Sequence, residues 1–107
     1  MRRMKVNDFE QALVILNVAP SIEEAVLDWM LAHRNVSGFT SQPVFGHSSR
    51  HEGLSLAEQV SGRQRRTEFQ VQMPAASVDL FLTSVRVKFA AANVHFWVIP
   101  VGTCGRL

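Results

Sequence analysis

The segment Ala12–Val18, which reads ALVILNV, constrains the fold of this chain more than any other. It has the length of a strand, is rich in β-branched residues and is almost continuously apolar. That combination is typical of a strand buried on both faces of its sheet. A fold that contains this segment must therefore supply cover on both sides.

Helix-type and strand-type patterns alternate on either side of the polar middle of the chain. PSIEEAVLDWMLAH (residues 20–33) has apolar residues at helical spacing, and Ser21 with Glu24 predicts a capping box at the start of that helix. FTSQPVFGH (Phe39–His47) reads as a strand, and its Pro43 favours a sheet edge or a bulge because proline donates no ladder hydrogen bond.

The second half of the chain repeats this order. TEFQVQM (residues 67–73) alternates, with Phe69, Val71 and Met73 on one face and polar side chains on the other. ASVDLFLTSVRVKFA (residues 76–90) predicts a second helix, and VHFWVIPV (residues 94–101) predicts a last strand.

The order β-α-β-β-α-β predicts an α+β fold, the ferredoxin-like sandwich. In that fold two helices pack on one face of a four-stranded antiparallel sheet. At 107 residues the chain is expected to form a single domain. Residues 1–10 would be a flexible or strand-leading tail, and residues 46–66 a long loop between the second and third strands.

The face of this sheet that carries no helix should be polar in a monomer. The first strand is apolar on both faces, however, and the last strand offers Trp97 and Ile99 on the side opposite Phe96 and Val98. Because the chain has no further segment to cover that face, the sequence predicts a homo-oligomer.

The stretch GHSSRHEGLSLAEQVSGRQRR (residues 46–66) is a polar excursion of a kind that compact domains rarely contain without a function. Its SLAE tetrad predicts a short helix from Ser55. Its basic residues are Arg50, Arg63, Arg65 and Arg66. Their guanidinium groups could bind an anion through paired hydrogen bonds. The alternative interpretation is a solvated, charged hairpin flank that discourages pairing with the strand edge of another molecule.

The succession GFTSQPVFGH, a long polar loop and TEFQVQMP resembles the PII signal-transduction superfamily. The shared features are a Gly-x-Thr start to the second strand, a Val-x-Gly end to it, a long loop, and a third strand closed by proline. The chain resembles in particular a small bacterial PII-like family of unknown function that is often encoded beside heavy-metal efflux systems.

This resemblance implies a cytoplasmic homotrimer whose sheets face inward. It also implies a small effector bound between subunits and a partner protein, here a membrane efflux transporter, contacted through the long loop. Gly38 and Thr40 match the strand start that contacts nucleotides in the family, and Gly46 matches the start of the loop.

The chain departs from the family pattern at the connection between the second helix and the last strand. Nucleotide-binding members have a glycine-rich, lysine-containing loop there, whereas this chain has only AAAN (residues 90–93). It also has no tyrosine to match the residue that some members modify. We therefore expect a small anionic effector bound in another way than the PII nucleotides.

Metal binding is the second hypothesis. His47 and His51 have a His-x₃-His spacing, and a transition metal would need a further ligand from Cys104 or from another subunit. The simpler interpretation is that both histidines are exposed loop residues and that Cys104 is a free thiol. No metal or cofactor is expected to be needed for folding.

Composition and motifs disfavour several other classes. A net charge of +2 is too small to predict a nucleic-acid or membrane binder, and Glu68, Gln70 and Gln72 occupy the strand face where RNA-recognition domains need aromatic residues. The longest apolar run near the start is too short to insert in a membrane.

The sequence contains no recognisable nucleophile motif and no phosphate-binding loop, so it does not predict an enzyme. The sequence thus predicts a trimeric, non-enzymatic PII-like regulator. A metal-tolerance protein of the same fold and an ordinary oligomeric scaffold are the alternatives.

Overall fold

The structure is a computed structural model that describes residues 5–34, 36–47 and 63–107. Four strands, β1 (Gln11–Val18), β2 (Phe39–His47), β3 (Arg63–Pro74) and β4 (His95–Val101), form one sheet in the order β2-β3-β1-β4. All neighbouring strands are antiparallel. With the helices α1 (Glu23–Ala32) and α2 (Val78–Lys88), this is the predicted ferredoxin-like sandwich.

The core lies between the sheet and the two helices. Alternate residues of β1 and β3 point into it, including Val14, Leu16, Phe69 and Val71, all of which are at most 1% exposed. We call this side of the sheet the helix face. Val26 and Met30 of α1 and Val78, Phe81 and Val85 of α2 close the core from above.

The opposite side of the sheet, the open face, is divided into two halves. The side chains of β1 and β4 on this side are mainly apolar, and Trp97 and Ile99 are 53% and 44% exposed. The side chains of β2 and β3 on this side are mainly polar, with Gln42 beside Glu68 and Thr40 beside Gln70. The prediction that both faces of β1 and β4 are apolar is therefore confirmed.

Strand β2 has the predicted bounds and lies at the edge of the sheet, as Pro43 indicated. Strand β3 begins earlier than predicted, at Arg63 instead of Thr67. Both ends of the predicted loop are therefore paired strand residues, namely Gly46, His47 and Arg63–Arg66. Backbone pairing between β2 and β3 orders these ends, although their side chains do not alternate between apolar and polar. The rest of the predicted loop, including the short helix from Ser55, lies outside the described residues.

The predicted capping box at α1 is wrong. A 3₁₀ turn, Pro20–Ile22, precedes the helix, and the amide of Ile22 donates to the carbonyl of Ala19 at 3.1 Å. The ring of Pro20 fixes φ at the first position of this turn. The helix therefore begins at Glu23, and Ser21 makes no capping hydrogen bond.

Two adjacent residues of α2 give a test of the packing. We expect Phe81→Ala to lower the free energy of unfolding by about 3–5 kcal/mol, because Phe81 is fully buried. Leu80→Ala, at a position 65% exposed, should change it by about 0.5 kcal/mol or less. Urea denaturation measures both, and similar losses would contradict the orientation of α2.

Candidate functional site

Strands β2 and β3 continue past the end of β1 as a two-stranded arm. Val18 of β1 pairs with Thr67, and beyond that level Val44–His47 pairs with Arg63–Arg66 alone. Four residue pairs at about 3.3 Å per residue give the arm a length of about 13 Å. It leads to residues 48–62, which include Arg50 and His51 and lie outside the described residues.

Alternation along the arm divides the predicted arginine cluster between two sides. Phe45, His47, Arg63 and Arg65 continue the helix face, whereas Val44, Gly46, Gln64 and Arg66 continue the open face. On the first side the guanidinium carbon of Arg63 lies 4.6 Å from the centroid of the Phe45 ring, a cation–π contact. That side is both cationic and aromatic, and Phe45 is 53% exposed.

Arg66 instead lies buried at the base of the arm, with 7% of its surface exposed. Its Nε donates to Oδ1 of Asn17 at 2.6 Å, and its Nη2 donates to the backbone carbonyls of Asn17 at 2.9 Å and Asn93 at 3.2 Å. The guanidinium thus connects β3 to the end of β1 and to the segment before β4.

These partners of Arg66 are neutral amide oxygens. Burial lowers the pKa of the Arg66 guanidinium from its ordinary value, because the charged form loses hydration. An arginine begins so far above neutrality that it stays charged at physiological pH. The base of the arm therefore holds a desolvated positive charge.

A carboxylate with amide partners lies two residues further along β3. Oε2 of Glu68 accepts from Nε2 of Gln42 at 3.1 Å, and Oε1 accepts from Nε2 of Gln70 at 3.4 Å. The contact with Gln42 links β2 to β3 across the polar half of the open face, and the contact with Gln70 lies within β3. Neither Glu68 nor Asn17 was predicted as a site residue, although Asn17 is the one polar residue of the apolar segment Ala12–Val18.

Gly38 and Thr40 lie away from the arm within one chain. Gly38 precedes β2 in open surroundings, and Thr40 is an exposed residue of the open face opposite Gln70. Six residues of strand, about 20 Å, separate Thr40 from Gly46. One chain therefore does not bring the strand-start residues together with the arm residues.

The two predicted metal ligands within the described residues are also far apart. His47 pairs with Arg63, whereas Sγ of Cys104 accepts a hydrogen bond at 3.0 Å from Nε2 of Gln72, nine residues along β3 and so about 30 Å away. In the described ranges no three metal-ligating side chains form a cluster.

Most of the chain matches one protein family. The model of the family described as "Protein of unknown function (DUF3240)" matches residues 9–107. The chain belongs to the DUF3240 family. Among curated proteins, none matches the sequence.

Solved structures show that this DUF3240 chain shares its fold with other proteins. A DUF3240 protein from Shewanella baltica is 20% identical with a TM-score of 0.75, and the match covers 92% of this chain and 97% of that one. The nitrogen regulatory PII-like protein CPII from Thiomonas intermedia, bound to ADP, AMP and bicarbonate, is 15% identical with a TM-score of 0.67 over 92% and 98%.

A third structure is the periplasmic divalent cation tolerance protein CutA from Archaeoglobus fulgidus. It is 12% identical with a TM-score of 0.66, and the match covers 90% of this chain and 88% of that one. The resemblance of this DUF3240 chain to PII-like proteins is thereby confirmed at the level of fold. Within the described residues, no helix is long and apolar enough to span a membrane.

The role of Arg66 in holding the arm is testable by substitution. We expect Arg66→Met to lower the free energy of unfolding by about 1–3 kcal/mol, because three acceptor oxygens at the arm base lose their donor. Arg34→Met, at an exposed position after α1, is the matched control and should cost about 0.5 kcal/mol or less. Equal stability of the two variants in thermal denaturation would contradict this role.

Proposed function

We propose that this DUF3240 protein is a non-enzymatic, trimeric regulator of the PII type that acts in the cytoplasm. Three chains associate through their open faces, and the arms bind a small anionic effector or a partner protein. The observation that carries the proposal is the exposed apolar half of the open face, because it leaves β1 and β4 incomplete as an isolated chain.

The assembly is supported by the composition of the open face. Trp97 and Ile99 of β4 lie beside Ile15 and Leu13 of β1, so four large apolar side chains form one continuous patch. Burial of such a patch stabilises an assembly by a free energy of about 25 cal/mol per Å² of apolar surface removed from water. The antiparallel register fixes these side chains on rigid strands, which favours one defined mode of association.

Effector binding is supported by the arm. Its helix-face side carries Arg63 and Arg65, and guanidinium groups recognise carboxylates and phosphates through paired hydrogen bonds. Phe45 supplies an aromatic surface next to these charges. Because residues 90–93 contain neither glycine nor lysine, we propose an anion held by the arm rather than by the nucleotide loop of the PII proteins.

A membrane transporter that exports heavy metals is the partner we propose. Its support is the resemblance to PII-like proteins encoded beside such transporters. The arm is suited to this role because it projects about 13 Å beyond β1 and carries Phe45, Arg63 and Arg65 on the side away from the open face.

The second candidate is a metal-binding tolerance protein, and it is favoured by the fold it shares with a divalent cation tolerance protein. His47, near the end of the arm, would provide one ligand and His51 another. Since Cys104 lies about 30 Å from His47 within a chain, a third ligand would come from another subunit.

Light scattering after size-exclusion chromatography tests the assembly. We expect a mass of about 36 kDa, three times the 12.0 kDa chain. Trp97→Glu should reduce the mass to that of one chain, because it places a charge in the apolar interface. Leu80→Glu, at an exposed apolar position on α2, should leave the mass unchanged. A wild-type mass of about 12 kDa would contradict the trimer.

Calorimetric titration tests what the arm binds. With phosphate, bicarbonate, ADP and AMP as probes, we expect at least one to bind and to lose about tenfold in affinity in Arg63→Gln/Arg65→Gln, since charge-assisted hydrogen bonds are lost. Arg34→Gln/Arg106→Gln removes the same charge from other exposed sites and should have no effect.

The same titrations with Zn²⁺ and Cu⁺ separate the two candidates. Metal binding that disappears in His47→Ala/His51→Ala, with no anion bound, would replace the effector proposal by the metal-tolerance function. Anion binding that is equally strong in the arm variant and in its control would contradict a role of Arg63 and Arg65.

A further inference from the structure

A cavity of about 320 Å³ lies on the helix face, beneath the connection between α2 and β4. Its floor is formed by Leu16 and Val85, which belong to the buried core. Its walls are Leu82, Phe89 and Phe96. A volume of this size falls within the range of small-molecule binding sites, and such sites are mainly apolar with a few polar groups.

The walls of this cavity are held in place by the core. Phe89 packs edge-on against Trp29, with 5.7 Å between the ring centroids. Phe96, on the edge strand β4, is 49% exposed. The connection between α2 and β4 lines the cavity with Ala91 and Asn93, both with a positive φ.

One charged side chain, Arg86, lines the cavity together with these apolar residues. It is an exposed residue in the last turn of α2, and within the described part of the chain no carboxylate pairs with it. Two carbonyls near the mouth already accept hydrogen bonds. The carbonyl of Val85 accepts from the amide of Phe89 at 2.9 Å, and that of Phe89 accepts from Ala92 at 3.2 Å.

We propose that this cavity binds a small molecule with an aromatic or aliphatic body and one carboxylate. The body would fill the space between Leu82, Phe89 and Phe96, and the carboxylate would pair with the guanidinium of Arg86. Charge complementarity selects an acid over its neutral analogue, because Arg86 is the charged group of the lining.

The cavity lies on the opposite side of the sheet from the open face, so ligand binding there does not require the proposed trimer. It is nevertheless connected to the arm. Asn93 lines the cavity, and its backbone carbonyl accepts the hydrogen bond from Arg66 at the arm base. A bound acid would thus contact the same segment that Arg66 ties to β3.

Fluorescence titration with 2-naphthoate, and with neutral 2-naphthamide as its analogue, tests the proposal. We expect wild-type protein to bind 2-naphthoate about tenfold more tightly than the amide, and Arg86→Gln to remove that preference. Lys88→Gln, which changes a charge in the same helical turn outside the cavity lining, should keep it.

Ala90→Trp and Ala32→Trp form a second matched pair. Ala90 is an exposed residue of the lining, so a tryptophan there should block both probes, whereas Ala32 is exposed at the end of α1 and should tolerate the change. Circular dichroism checks that each variant is folded.

Three results would overturn the proposal. The first is wild-type protein that binds neither probe, and the second is binding that persists unchanged in Ala90→Trp. The third is a change in the mass of the assembly in Ala90→Trp, which would show that another copy of the chain occupies the cavity.

Discussion

Strand β1 is the element on which the rest of the structure depends, because it lies between β3 and β4 and is apolar on both faces. On the helix face, Val14 and Leu16 are buried under the two helices. On the open face, Ile15 and Leu13 lie beside Trp97 and Ile99, which remain about half exposed. The chain covers one face of its central strand internally and leaves the apolar side chains on the other face partly exposed.

The arm follows from the same arrangement. Because β1 ends at Val18 while β2 and β3 continue, the last four residue pairs lose their neighbour on one side. A two-stranded ribbon alone is marginally stable. Arg66 compensates by bonding to Asn17 at the end of β1 and to Asn93 before β4, so that one buried guanidinium joins three segments.

The sequence predicted the fold well where side-chain periodicity reports burial. Phe69, Val71 and Met73 alternate into the core, and Pro43 correctly indicated an edge strand. It could not predict that Arg63–Arg66 is strand, since these polar residues are ordered by backbone pairing with β2. Because this segment was predicted to be a loop, its arginines were interpreted as one cluster. In the strand, side chains alternate between the two faces, so Arg66 lies on the side opposite Arg63 and Arg65.

The central claim is that other copies of the chain cover the open face, and the fluorescence of Trp97 tests it most directly. The chain has two tryptophans, so Trp29→Phe leaves Trp97 as the single reporter. Acrylamide quenching of this variant should be weak in the assembled protein and strong once Ile99→Glu is added. Strong quenching of Trp97 before that second substitution would contradict the claim, because it would show that the apolar half of the open face is in contact with water.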